Sequence, residues 1–137
     1  MSDHLETEFT PRNIVIRGNK KIDITPTVNF NGETGVCSIS GESHHQNERE
    51  FYLPLIQWVR DFIRTKRPIE FNFKLTYFST SSSKQILTIL EALKGYEDNG
   101  GKVVVNWYYP EDDEEIKEEA EDYMVAVGIH LNLMELK

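Results

Sequence analysis

Between residues 69 and 77 the chain alternates without a break. Ile69, Phe71, Phe73, Leu75 and Tyr77 are apolar, while Glu70, Asn72, Lys74 and Thr76 between them are polar. Side chains on a strand point to opposite faces in turn, so this segment must be a strand with one dry face and one wet face. A strand buried on both sides would read as a continuous apolar run, and that excludes a sheet sandwiched between two full layers of helix.

The neighbouring segments fit the same frame. Val28 and Phe30 alternate with polar residues, Gly32 to Gly35 turns the chain, and Val36 to Ser40 runs back, predicting a hairpin. Phe51, Leu55, Trp58, Val59, Phe62 and Ile63 recur at helical spacing over roughly residues 48 to 65. Asn47 and Glu50 resemble a capped start, and Pro54 suits only the first turn, so a later start or a bend is expected there. Ile86, Ile89, Leu90 and Leu93 predict a second helix ending at Asn99-Gly100-Gly101, and Val103, Val105 and Trp107 mark the next strand. A third helix is expected over residues 111 to 127, with a last strand through Ile129, Leu131 and Leu133.

The expected fold is therefore α/β: one mixed sheet of four to five strands, hairpin first and parallel strands after, with about three helices mostly on one face. Residues 1 to 25 carry the breakers Pro11 and Gly18, and only Ile14-Val15-Ile16 looks strand-like. That stretch reads as a tail or an extra strand, and residues 26 to 137 as one domain.

Charge narrows the choice of function. The chain of 137 residues has 23 acidic against 15 basic residues, a formal net charge of -8. Nucleic acid is a poor partner for such a chain, because phosphate backbones need a basic face. The start, Met1 to Glu6, lacks the basic and apolar regions of a secretory signal, and no apolar run reaches membrane-spanning length. A single cysteine, Cys37, forms no internal disulfide, and the expectation is a soluble protein of the reducing cytoplasm. Cys37 itself reads as a small buried side chain.

Chemistry concentrates at Ser79-Thr80-Ser81-Ser82-Ser83-Lys84-Gln85, five hydroxyl residues in a row between a strand end and a helix start. Hydroxyl side chains cap helices, and Ser82 with Gln85 reads as a capping box. Capping needs one residue, however, and the run supplies several. A phosphoryl group here would meet unpaired backbone N–H groups at the positive end of a helix dipole, so the folded domain tolerates its charge. From the residues alone both readings stand.

Other constellations favour no catalysis. His44 and His45 are adjacent and so diverge, without the spacing of metal ligands; no metal site is expected. His130 falls on a polar strand face. Nine acids in residues 111 to 122 suit a solvated helix face whose first turn matches the dipole. Gly100-Gly101 stops a helix and lacks phosphate-loop spacing. Trp107 is expected in the core, with Tyr108 and Tyr109 nearer the surface. No nucleophile with a placed base is identifiable, and no cofactor is implied.

Taken in order, Thr34-Gly35-Val36, Gly41-Glu42-Ser43, Tyr77 to Lys84, Gly101 to Tyr109 and Glu111-Asp112-Asp113 resemble the SiaC family of regulatory phosphoproteins over roughly residues 26 to 137. The family motif is Asn-Thr-Ser-Ser after an aromatic strand end, and its regulatory threonine falls on Thr80. The resemblance implies a fold like that of anti-sigma factor antagonists (STAS-like), a dedicated serine/threonine kinase, an opposing PP2C-type phosphatase, and a target bound by the unphosphorylated form. A diguanylate cyclase governing biofilm formation is the target so implied. Two departures stand out: Ser79 replaces the motif's asparagine, and His44-His45-Gln46-Asn47 replaces Tyr-Pro-Glu-Asn, keeping only Asn47. The docking face expected on this reading takes in Ser79, Ser81, Ser82, Ser83 and Lys84, with Asn47 and Tyr108 beside them. The competing expectations are a nucleotide or small-ligand site on the same edge, and a constitutive scaffold.

Overall fold

The computed structural model describes residues 10–19, 24–44 and 47–136. Within them a six-stranded sheet is built from β1 (Ile14–Ile16), β2 (Thr27–Phe30), β3 (Val36–Ser43), β4 (Ile69–Phe78), β5 (Val103–Pro110) and β6 (Asn132–Leu136). Three helices connect the parallel strands: α1 (Glu48–Ile63), α2 (Thr80–Asp98) and α3 (Glu114–Val127). The strands lie in the sheet in the order of the sequence, with β1, β2 and β3 antiparallel and β3 to β6 parallel.

That order decides where the helices go. Each crossover steps one strand in the same direction, and right-handed crossovers stepping one way place every helix on one face. Burial along β4 agrees: Ile69, Phe71, Phe73 and Leu75 are buried, while Lys74 and Thr76 are exposed. The dry face meets an aromatic core in which Phe30 packs on Trp58 and Phe71, and Trp107 on Phe73 and Tyr123. Cys37 lies inside it, and burial pushes its thiol pKa up, which leaves it unreactive.

The sheet has one strand more than the four or five predicted. It is β1, the Ile14 to Ile16 segment read as a tail or an extra strand, and it pairs with β2 through Val15 and Asn29. β6 begins later than predicted. Ile129 and Leu131 are buried but precede the strand, because their alternation reflects packing on the core, and packing needs no ladder hydrogen bonds.

Two helix starts also differ. Pro54 lies well inside α1, which starts at Glu48 and neither begins later nor breaks. The position is exposed, as is Glu50, whose carbonyl loses the hydrogen bond, so water replaces the missing donor. α3 starts at Glu114 because Asp113 Oδ1 accepts from the Ile116 backbone N–H at 3.1 Å, and it stops where Gly128 takes φ +80°. The hairpin turn is set by Asn31, whose Oδ1 accepts from the N–H groups of Glu33 and Thr34, and by Gly35 at φ +75°.

The face without helices carries a row of amides. Register places Asn29, Ser38, Asn72, Asn106 and Asn132 side by side across five strands. Asn132 Nδ2 donates to Asn106 Oδ1 at 3.1 Å, and Asn106 Nδ2 to Asn72 Oδ1 at 2.9 Å. Asn72 Nδ2 continues the row to the Cys37 carbonyl and to Glu70. His130 is exposed and joins its far end through Asn132 Oδ1.

Candidate functional site

The carboxyl ends of β3, β4 and β5 share one edge of the sheet, and the first turns of all three helices rise from it. Ser43, the last residue of β3, pairs with Phe78 at the end of β4, and its carbonyl accepts from Ser79 N–H at 3.0 Å. The start of the hydroxyl run is thereby fixed to the sheet before α2 begins. Ser79 caps α2, its Oγ accepting from Ser82 N–H at 3.1 Å. The cap thus lies three residues before the predicted Ser82, because the end of β4 decides where the helix starts.

Each hydroxyl of the run has a different assignment. Ser79 Oγ donates to the carboxylate of Glu48, the first residue of α1. Ser82 is fully buried, its Oγ lying 2.8 Å from Ser43 Oγ and donating to the Ser43 carbonyl at 3.0 Å. Ser43 Oγ is also 2.8 Å from Tyr52 Oη on α1. One assignment uses every hydroxyl hydrogen once: Tyr52 donates to Ser43, Ser43 to Ser82, and Ser82 to the Ser43 carbonyl. Burial pushes the Tyr52 pKa up to about 12, in keeping with a neutral donor. Ser83 Oγ is 2.5 Å from Tyr123 Oη on α3, and burial likewise raises the pKa of that phenol.

Thr80 and Ser81 are what this network leaves over. Both are exposed, on the first turn of α2, and neither side chain has a hydrogen bond within the described residues. Their neighbours are tied to β3, α1 and α3, so two outward hydroxyls stand on a held backbone. A phosphotransfer enzyme can reach them without unfolding the domain.

Other predicted residues fall into two places. Asn47, Ser81 and Lys84 line a shallow groove of about 430 Å³ between the first turns of α1 and α2, together with Glu48, Arg49, Glu50 and Gln85. Asn47 precedes α1, though its side chain makes no capping hydrogen bond. Tyr108 lies on the uncovered face of the sheet, its ring 5.0 Å from Lys74 Nζ, apart from that groove. Trp107 is buried and its Nε1–H donates to the Ile116 carbonyl at 3.1 Å, as the core reading requires.

The acidic stretch comes to the same edge. Glu111, Asp112, Glu114 and Glu115 are exposed around the start of α3. On that helix burial raises the Glu119 pKa, with Asp122 and Glu115 adding to the effect. The start of α3 is thus an acidic neighbour on this edge, whereas the groove beside Ser81 carries both signs, with Glu48 and Glu50 against Arg49 and Lys84. His44 is exposed beside Tyr77, with 6.2 Å between ring centroids, while His45 and Gln46 lie outside the described residues. Among the described residues no group of His, Cys, Asp and Glu could hold a metal ion, and no helix is long and apolar enough to cross a membrane.

Sequence reasoning missed Glu48, Ser43, Tyr52 and Tyr123. Only Tyr52 left a signal: residues 52, 55, 56, 59 and 62 form a better helical stripe than one started at Phe51, which is half-buried.

Comparison with known proteins gives one consistent answer. A family model described as SiaC family regulatory phosphoprotein matches residues 19–136. An uncharacterized protein of Pseudomonas aeruginosa strain UCBPP-PA14 is 32% identical over 100 residues, which span 72% of this chain and 79% of that protein. Apo-SiaC from Pseudomonas aeruginosa superposes with a TM-score of 0.78 at 26% identity, over 90% of this chain and 98% of that one. The structure of the diguanylate cyclase SiaD in complex with its activator SiaC, from the same organism, matches with a TM-score of 0.83 at 27% identity, over 90% and 99% of the two chains.

Proposed function

This chain belongs to the SiaC family of regulatory phosphoproteins, and from that membership we propose that it is a non-enzymatic, cytoplasmic interaction switch whose state is set by phosphate on Thr80. The observation that carries the reading is the division of the hydroxyl run. Ser79, Ser82 and Ser83 are held inside by Glu48, Ser43 and Tyr123, while Thr80 faces solvent on a fixed turn. The threonine matching the family motif is thereby left open to an enzyme.

In this reading a serine/threonine kinase transfers the γ-phosphoryl of ATP to Thr80 Oγ1, the hydroxyl proton leaves and ADP is released. A PP2C-type phosphatase hydrolyses the ester back to threonine and inorganic phosphate. The unphosphorylated form docks a target through the groove between α1 and α2, with Asn47, Ser81 and Lys84 on its surface and Ser79, Ser82 and Ser83 supporting it from within. A diguanylate cyclase is the target proposed, because the homologous SiaC is found in complex with one. Phosphate adds about -1.5 to -2 charges to an edge that is already acidic, and so redirects docking by charge and bulk.

The test is a pull-down from host lysate with wild type, Thr80→Ala and Thr80→Glu as baits, with bound proteins and phosphate read by mass spectrometry. The expected result is phosphate on wild-type Thr80, and a target held by wild type and Thr80→Ala but lost from Thr80→Glu. Identical partner sets with no phosphate would return the run to helix capping.

A further inference from the structure

α2 is a 19-residue helix with no acidic residue in its own first turn, whereas α1 and α3 each begin with two. The positive end of the α2 dipole is served by another element. Glu48, the first residue of α1, is 3% exposed, and its carboxylate accepts from the Oγ of Ser79, the residue that caps α2. Burying a carboxylate is unfavourable unless it is hydrogen-bonded and in a favourable field, and the α2 N-terminus supplies both. We infer that Glu48 is the resident anion of the α2 N-terminus, and that a phosphoryl group on Thr80 displaces it and loosens the first turn of α1.

The inference rests on Thr80 being the phosphoacceptor and adds what the phosphate does inside the fold. Thr80 follows Ser79 directly, with about 3.8 Å between their Cα atoms, so the new dianion lies within about one Debye length (~10 Å) of the Glu48 carboxylate. Two anions then compete for one dipole end, and the covalently attached one carries the greater charge. Arg49 and Lys84 line the groove alongside and supply the cations that the phosphate takes up. Glu48 is the first helical residue of α1, so withdrawal of its carboxylate from the buried site takes from the turn of Asn47 to Tyr52 the side-chain contact that ties it to the α2 cap. The phosphate is thereby converted into a change at the groove surface that a partner reads.

The experiment uses full-length protein with phosphothreonine placed at position 80 by genetic code expansion, so that no kinase is needed. Backbone amide exchange is followed at Phe51, Tyr52 and Leu53 in unphosphorylated and phosphorylated protein, each with and without Glu48→Gln. The expected result is exchange about tenfold faster on phosphorylation in the Glu48 background, reporting local opening of the turn, and no acceleration in Glu48→Gln. Unchanged exchange on phosphorylation of the Glu48 protein overturns the inference, and that comparison does not depend on the variant. Equal acceleration in Glu48→Gln overturns it as well, by assigning the opening to something other than Glu48. Failure of the Thr80 assignment itself reads differently, as absence of phosphate at Thr80 in protein isolated from cells.

Discussion

Ser82→Ala tests the buried chain of hydroxyls that holds the turn carrying Thr80. Ser82 is fully buried, so nothing but protein compensates for its loss. The Ser43 carbonyl keeps its other donor, Ser79 N–H at 3.0 Å, but the Ser43 hydroxyl loses the oxygen 2.8 Å away to which it donates. One orphaned buried donor costs about 1–3 kcal/mol. Taking the middle of that range, about 2 kcal/mol, and subtracting the roughly 0.5 kcal/mol that alanine recovers through its better helix propensity, the net destabilisation is about 1.5 kcal/mol. With an unfolding entropy of about 0.3 kcal/mol/K for a chain of this length, the melting temperature falls by about 5 °C. Urea titration followed by tryptophan fluorescence checks the value, with m unchanged. The companion measurement is Ser43→Ala with Ser82→Ala: the double variant no longer has a stranded Ser43 hydroxyl and keeps only the Tyr52 hydroxyl that Ser43→Ala alone already leaves without its acceptor, so it is expected to lose about 1 kcal/mol less than the sum of the singles. A melting temperature within 1–2 °C of wild type (about 0.5 kcal/mol), or strict additivity, would refute the assignment of the network.

Three further outcomes follow from the geometry. Gly35→Ala forces a side chain into φ +75° and sets its Cβ 2.5 Å from the Pro68 carbonyl oxygen and 2.9 Å from Phe62 Cζ, so the urea midpoint should drop by the equivalent of about 2–3 kcal/mol. Because the folded-state pKa of Tyr52 is raised to about 12 from the ordinary 10.0, the unfolded chain loses that proton first. The stability that this phenol contributes is therefore complete below pH 10, declines as pH rises and is gone above about 12. Its size is about 2–3 kcal/mol, and Tyr52→Phe should flatten that part of the alkaline denaturation curve. Asn106→Ala removes the middle of the amide row; half-buried Asn132 turns to water and buried Asn72 keeps its bonds to the Cys37 carbonyl and Glu70, so calorimetry should show a loss of only about 0.5–1 kcal/mol.

What sequence could and could not disclose divides along physical lines. The alternation at Ile69 to Tyr77 carried the one-sided sheet, and the spacing of Val28, Phe30 and Val36 carried the hairpin, because burial on one face writes a period into consecutive residues. The hydroxyl run was legible as a helix start because its residue types favour capping, whereas the choice of Thr80 as phosphoacceptor came from the resemblance to the family. The partners that sort its hydroxyls were not, since Ser79 meets Glu48 across 31 residues, Ser82 meets Ser43 across 39 and Ser83 meets Tyr123 across 40. Such pairs exist only once the register of parallel strands is set, and no local period encodes that. Phe51 and Tyr52 show the limit at closest range: both are aromatic, and one step along the helix decides that the tyrosine, with its hydroxyl, is the one turned inward.

The strand order has a consequence for how the molecule is made. No strand is inserted between two earlier ones, so a ribosome can release the sheet from one edge to the other as it is built. By the time Ser83 has emerged, the chain already contains Ser43, Glu48, Tyr52, Ser79 and Ser82, and lacks only Tyr123 among the residues that hold the turn. The nascent chain therefore holds nearly every partner of the Thr80 turn early, while docking of Tyr123 waits for the last third of the protein to be synthesised.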